Sequence, residues 1–273
     1  MSRETTTKFV IDPEFEKRVS KSFYDTFYSK VTDSEVSRRG FIAEEKHQSI
    51  LKLCTGLNFK KVVEVGCGYG NILSLLDKSK FAPELYGFEV SPSAVRYLQE
   101  KTKISSLKAV YLFDTSNTPF EDDFFDLGIL SHVLEHVPDP EKLLKETLRI
   151  CKYVLVEIPL EDCLVSNMFA SYQLRFNHQR RIDNLSGHIH FFNKSAAMDL
   201  FSESGGEILR ERTYRTWKVF STRFRPTILL RLLQSILFYP IFKVTRSGIV
   251  VSNYAVLLSV RGPVNWDFSR PSS

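Results

Sequence analysis

The sequence predicts an α/β chain, a parallel sheet covered on both faces by helices, with its ligand-bearing residues at the strand ends. Three observations predict it. Between residues 61 and 158, short apolar runs alternate with helix-like segments, the rhythm of consecutive βα units. A glycine-rich turn, Gly66-Cys-Gly-Tyr-Gly70, joins the first run to the first helix. Acidic residues then close the second and third runs, Glu89 and Asp114.

Each element has a local reason. Lys61-Val-Val-Glu-Val-Gly66 is a short buried strand, and Asn71 to Asp77 opens a helix. Leu85-Tyr-Gly-Phe-Glu-Val90 is a second strand. Ser91 and Pro92 then supply an N-cap and a proline at the first helical position for a helix from Ser93 to Lys101. Lys108 to Asp114 and Phe124 to Ser131 are the third and fourth strands. Asp139-Pro140-Glu141 caps a helix that reaches Ile150, and Tyr153 to Ile158 is the fifth strand.

Beyond Pro159 the rhythm breaks. Residues 160–192 are polar and aromatic without a clear period. Lys194 to Ser204 reads as a helix stopped by Gly205-Gly206. Glu207 to Tyr214 and Asn253 to Arg261 read as two further strands, separated by a basic, apolar insertion over 216–252. Before the alternation, residues 1–57 read as a helical cap in which Phe23, Tyr24, Phe27 and Tyr28 cluster at helical spacing, so that they either form a lid or simply pack. The expected organisation is thus a cap (1–57), a main domain (58–261) with insertions at 160–192 and 216–252, and a tail (262–273).

Composition narrows the class. With 43% hydrophobic and 25% charged residues the chain is an ordinary globular one, long enough for one large core. Its cysteines are widely spaced without a CxxC pair, which argues against a structural zinc site or a disulfide framework and fits a cytoplasmic protein. The polar start lacks the apolar run of a secretory signal, and no stretch reaches the ~20 apolar residues that span a bilayer. The net charge of +5 is unevenly spread: from Arg210 to Arg246 the only acid is Glu211. Such a segment suits anionic partners or a solvated basic face.

The glycine turn can hold an anion or a nucleotide, because absent side chains let a ligand approach the backbone. Its spacing narrows the choice. A dinucleotide fingerprint needs glycine at position 71, where Asn71 stands, and no Gly-Lys-Ser/Thr ending marks a phosphate loop. Glu89, about 20 residues on, is placed to accept hydrogen bonds from ribose hydroxyls. Asp114 could accept from an adenine amino group. These groups share the sheet edge beyond the carboxyl ends of the strands, where open α/β sheets bind ligands.

Glu64-Val-Gly-Cys-Gly-Tyr-Gly70, Gly87-Phe-Glu-Val-Ser91, Asp114 with Thr118-Pro119-Phe120, and Phe125 to Pro140 containing Val133-Leu-Glu-His-Val137 resemble the ordered motifs of class I S-adenosylmethionine-dependent methyltransferases, in the small-molecule branch. The match covers residues 60–160, with a weaker echo in Gly187-His-Ile-His-Phe-Phe-Asn193. The resemblance implies a Rossmann-like, seven-stranded, mostly parallel sheet with helices on both faces and an antiparallel last strand. It implies S-adenosylmethionine as cofactor. Gly66, Cys67, Gly68, Gly70 and Asn71 would line its methionine part, with Glu64 orienting the loop. Glu89 and Val90 would meet the ribose, Asp114 and Thr115 the adenine, and Ser131 and His132 the sulfonium and methyl group. The remainder of Leu134-Glu135-His136 is read as packing at the start of the next turn.

Methyl transfer from a sulfonium is an in-line displacement that mainly needs positioning. A base matters where the acceptor loses a proton, and histidine suits that role near neutral pH. The candidates are His190, the first choice, then His188 and His132, with Glu157 as a carboxylate that could bind or deprotonate the acceptor. His188 and His190 could also hold a metal if Glu157 joined them, but an HxH pair is a weak signal and no metal is expected. The expected acceptor is a small molecule or saccharide, methylated at oxygen or nitrogen and lipid-linked if residues 226–240 lie on a membrane. The other roles for 226–240 are pocket cover and homodimer contact. Two functional alternatives remain at this point: a catalytically silent partner that binds S-adenosylmethionine, and an RNA or other nucleic-acid methyltransferase gripping phosphates with the 210–246 segment. Ser131-His-Val-Leu stands where base-amino methyltransferases carry an Asn/Asp-Pro-Pro-Tyr/Phe tetrapeptide, so nucleic acid is disfavoured.

Overall fold

A computed structural model describes residues 8–11, 23–29, 33–112, 117–160, 188–215 and 252–260 of the chain. These residues form a sheet of order β1-β4-β3-β2-β5-β6-β8-β7. The strands are β1 (Lys8–Ile11), β2 (Lys61–Val65), β3 (Glu84–Glu89), β4 (Leu107–Leu112), β5 (Phe125–Ser131), β6 (Cys151–Leu160), β7 (Glu207–Arg215) and β8 (Ser252–Ser259). The helices are α1 (Phe23–Ser29), α2 (Asp33–Leu53), α3 (Asn71–Lys78), α4 (Pro92–Lys101), α5 (Pro140–Ile150) and α6 (Lys194–Glu203), with a single 3₁₀ turn at Leu134–His136.

Strands β2 to β8 carry the expected mixed arrangement: β2 to β6 pair in parallel, and β8, the last in sequence, is antiparallel to both β6 and β7. An eighth strand adds to it. Lys8-Phe-Val-Ile11, within the segment read as helical, pairs in parallel with β4 along Lys8↔Ala109 to Ile11↔Leu112. It is a short β-prone run, bounded in sequence by Asp12-Pro13, and too brief to show an alternating period.

The central strands are largely apolar because both of their faces are covered. Val62 and Val63 are each fully buried, yet Val62 belongs to the core that holds Leu73, Leu85 and Leu98, and Val63 to the core that holds Phe88, Leu144 and Phe201. Helix starts are fixed by side-chain caps: Ser91 Oγ accepts from Ala94 N at 3.3 Å, Asp139 Oδ1 from Lys142 N at 2.9 Å, and Asn193 Oδ1 from Ala196 N at 2.8 Å. Helix α6 ends as its glycines predict. Gly205 adopts φ +83°, and Gly206 N donates back to Phe201 O at 2.9 Å, satisfying a carbonyl of the last turn.

One residue of the basic segment has a structural task. Arg210 Nη1 donates to Leu53 O at 2.8 Å and Thr55 O at 2.7 Å, a cation on the negative C-terminal end of α2. Residues 226–240 of the basic insertion and the tail from 262 lie outside the described residues. Among the described residues, no helix is long and apolar enough to cross a membrane.

Candidate functional site

The site is built where β2, β3, β5 and β6 end side by side, with Glu64 opposite Gly87 and Ile129, and Ser131 opposite Glu157. The glycine loop follows β2. Gly66 N and Cys67 N donate to Phe88 O at 2.8 and 3.0 Å, which ties the loop to β3. Gly66, Gly68 and Gly70 all adopt positive φ, at +72°, +52° and +73°. At Gly68 conformation and space both require glycine, since a Cβ there would lie 2.9 Å from Tyr28 Oη.

Glu89 closes the loop from the β3 side. Its Oε2 accepts from Gly68 N at 2.7 Å, and its Oε1 from Val90 N at 2.8 Å and Ser91 N at 2.9 Å. Burial pushes its carboxyl above the ordinary value, and the three backbone donors pull it partly back. Glu64, only 4% exposed, is pushed up to about 8, chiefly by burial and also by the nearby Glu89 charge. Among the described residues its Oε2 has no hydrogen-bond partner. Asn71 is the first residue of α3, and its preceding cap, Gly70, makes no side-chain hydrogen bond. Cys67 is buried, and its thiol is held well above the ordinary range by burial and then by Glu89. Asp114 and Thr115 lie outside the described residues.

Helix α1 docks over this corner. Asp25 Oδ1 accepts from Ser93 N at 2.8 Å and Ser91 Oγ at 3.1 Å, at the start of α4. Tyr69 Oη donates to Tyr28 O at 2.9 Å, and the two rings meet edge-on with centroids 4.8 Å apart. Of the four aromatics singled out in α1, Tyr28 therefore lies on the glycine loop. The side chains of Phe23, Tyr24 and Phe27 fall outside the described set. Asp25 carried no sequence signal beyond being one acid among aromatics.

The second corner is charged. His132 follows β5 in a left-handed conformation, φ +58°, which non-glycine residues rarely adopt and which concentrates at functional sites. Its Nδ1 lies 3.2 Å from Glu135 Oε1 and its Nε2 3.2 Å from Glu157 Oε1. Burial and the Lys46 charge act to lower the His132 pKa, but the two carboxylates outweigh them and the ring is raised above its ordinary value. Glu157, fully buried, takes 2.6 Å and 3.3 Å hydrogen bonds from Tyr214 Oη and Ser131 Oγ. Burial would raise its pKa, yet His132, Lys46 and Tyr214 together hold it below the ordinary carboxylate value. Lys46 of α2 thus acts on Glu64, His132 and Glu157 alike. A lysine in the middle of a polar helix gave no cue to that.

His190 and His188 arrive from the stretch before α6. Ile189 N and His190 N both donate to the Glu135 carbonyl, at 2.8 and 3.1 Å. His190 Nε2 donates to Val137 O at 2.9 Å. The suggested metal set of His188, His190 and Glu157 is not the one the fold assembles, because His190 is turned to Val137 and Glu157 is held by Tyr214, Ser131 and His132. Among the described residues, the three that bring ligand atoms within 4.8 Å of one another are Glu135, His136 and His188. Glu135, which the sequence reads as packing, is a fully buried acid.

A family model described as "Methyltransferase domain" matches residues 37–211. The chain is 32% identical over 142 residues to a tocopherol O-methyltransferase of Arabidopsis thaliana, covering 51% of this chain and 38% of that one. It is 31% identical over 94 residues to a norajmaline N-methyltransferase of Rauvolfia serpentina, covering 33% of this chain and 32% of that one. The chain therefore spans well under half the length of these curated relatives. A SAM-dependent methyltransferase from Archaeoglobus fulgidus shares the fold, with TM-score 0.56 and 15% identity over 87% of this chain and 100% of that one. So does a methyltransferase structure from Bacillus halodurans, with TM-score 0.54 and 16% identity over 79% and 99%.

Proposed function

Because the chain belongs to the methyltransferase-domain family, we propose that it transfers a methyl group from S-adenosylmethionine to an oxygen or nitrogen of a small-molecule or saccharide acceptor. The observation that carries this reading is the Gly68–Glu89 contact, a buried carboxylate at a strand end hydrogen-bonded to a glycine loop whose residues take positive φ.

The residues present fit the cofactor. The glycine loop carries three positive-φ glycines beside the buried Glu89, and Glu64 Oε2, without a hydrogen-bond partner among the described residues, offers an acceptor. Glu89 already receives three backbone N–H donors. A carboxylate offers about four acceptor positions, so one ribose hydroxyl can join without rearrangement, and a second would have to displace one of the three backbone donors. Bound S-adenosylmethionine supplies an electrophilic methyl group on a sulfonium. Tyr28 and Asp25 of α1 close the loop side, where they would keep water from the sulfonium.

The acceptor is placed on the other corner, against Ser131, His132 and Glu157. Glu157 is held ionised by its partners and positions His132. The acceptor's proton passes to His190, whose Nε2 is engaged by Val137 O and whose Nδ1 is the nitrogen that can accept. The acceptor classes named for relatives, a tocopherol and an alkaloid among them, motivate a small organic acceptor. A lipid-linked acceptor, and a membrane or dimer contact through 226–240, concern residues outside the described set.

Calorimetry with S-adenosylhomocysteine tests the reading. Binding is expected for the wild type, with at least a tenfold loss in Glu89→Ala. NAD binding without S-adenosylhomocysteine binding would refute it.

A further inference from the structure

We propose that Glu135, His136 and His188 form a binding site for a divalent transition-metal ion, with a coordination position open to an oxygen ligand. Their ligand atoms lie within 4.8 Å of one another. The His136 and His188 rings meet with centroids 4.8 Å apart, and His136 Nε2 is 3.9 Å from Glu135 Oε1.

The carboxylate is the strongest sign. Glu135 is fully buried, and among the described residues its Oε2 has no side-chain hydrogen-bond partner. A buried anion with an unused oxygen is costly unless a cation completes it. Against the effect of burial, His132, 3.2 Å from Oε1, His136 and the main-chain N–H of Glu135 itself compensate the charge in part and hold the carboxyl below its ordinary value.

The scaffold holds the ligands together through the main chain. Glu135 and His136 are consecutive in the 3₁₀ turn that follows β5. His188 comes from more than 50 residues later, yet its two successors donate their N–H groups to the Glu135 carbonyl, at 2.8 and 3.1 Å. A bridge between Leu160 and Phe192 fixes the same stretch to the end of β6. A set so arranged needs only side-chain rotations to contract toward the roughly 2.0–2.2 Å bonds of a nitrogen–oxygen site.

Donor type selects the ion. Two imidazoles and one carboxylate suit zinc, manganese, iron(II) or cobalt, whereas magnesium and calcium prefer all-oxygen shells. Three protein ligands are the number found where a position stays open for water or substrate. On the methyltransferase reading, this position adjoins the strand end where the acceptor must meet the methyl group. A metal there would bind an acceptor hydroxyl and ease loss of its proton.

The test uses the full chain without a histidine tag, stripped by chelator and dialysed against cobalt(II) or zinc(II). Mass-spectrometric metal analysis is expected to give about one ion per chain, with a cobalt visible spectrum that azide shifts. Affinity should fall by more than the ~10–100-fold of an outer-shell change in both Glu135→Gln and His188→Ala. S-adenosylhomocysteine binding, measured in parallel, should persist in His188→Ala and so report an intact fold. Absence of a stoichiometric ion, or affinity unchanged in both variants, overturns the site. A bound ion whose spectrum ignores azide overturns the open position. Metal binding without S-adenosylhomocysteine binding would remove the methyltransferase reading and leave the metal site standing.

Discussion

Replacing Glu64 with glutamine keeps the shape of a buried side chain and removes its titration. In the folded chain Glu64 holds its proton up to about pH 8, against an ordinary value of 4.5 in the unfolded chain. Between those values the folded state binds more protons than the unfolded state, so this group's contribution to stability is full at low pH and is lost as pH rises through 8. With those two pKa values the loss from pH 5 to pH 8 is about 3–4 kcal/mol. At ~2–4 °C per kcal/mol for a chain of this size, that is roughly 10 °C of melting temperature. Thermal unfolding at half-unit steps from pH 5 to pH 8 is therefore expected to show a falling Tm in the wild type. Glu64→Gln should show a curve flatter by about that amount. The difference between the two curves isolates Glu64 from His47 and His132, which titrate in both proteins. Parallel curves would refute the reasoning, because they would mean that Glu64 is solvated or paired enough to ionise normally.

Three further outcomes follow from particular contacts. Gly68→Ala meets both a positive φ and Tyr28 Oη at 2.9 Å. It should cost about 1–3 kcal/mol of stability and weaken S-adenosylhomocysteine binding, as read by chemical denaturation and calorimetry. Asp25→Ala removes the acceptor of Ser93 N and Ser91 Oγ, so a loss of about 1 kcal/mol and faster amide exchange at Ser93 are expected; unchanged exchange would show that α1 does not hold this corner. His190→Phe should lower turnover by roughly 10²–10⁴ with little change in S-adenosylhomocysteine affinity, and unimpaired turnover would remove His190 as the base.

The regular half of the fold was legible because its cause is local. A strand covered on both faces must be apolar along its whole length, and a capped helix carries its serine, aspartate or asparagine at the first turn. Ser91, Asp139 and Asn193 all cap as those rules require. Strand β1 was not legible: four residues carry no period, and its place at the sheet edge is set by β4, nearly a hundred residues away. The site divides in the same way. The glycine loop and Glu89 are neighbours across adjacent strands at a fixed interval, so spacing reveals them. Asp25, Lys46 and Tyr214 reach the site through tertiary packing, and nothing beside them in sequence marks them. Glu135 and His136 stand inside a motif that sequence shows, but the proposed metal set needs His188, and the stretch that carries it is brought back by contacts at the Glu135 carbonyl, the Val137 carbonyl and Leu160.

Strand β8 has a consequence for how the chain completes itself. Among the described strands it is the last in sequence, yet it lies between β6 and β7 and pairs with both. A nascent chain that stops short of residue 252 has an open β6 edge and no β8 to pair with β7, so this end of the sheet cannot close until residues 252–259 have been made. Such an edge is an invitation to intermolecular pairing during that interval. The same topology frees residues 216–251 from setting the sheet's register, because the strands on either side are locked to each other and to β6. Doubling the length of a loop raises its closure cost by only about 0.6 kcal/mol. Changes of length or composition there leave the pairing of β6, β8 and β7 in place.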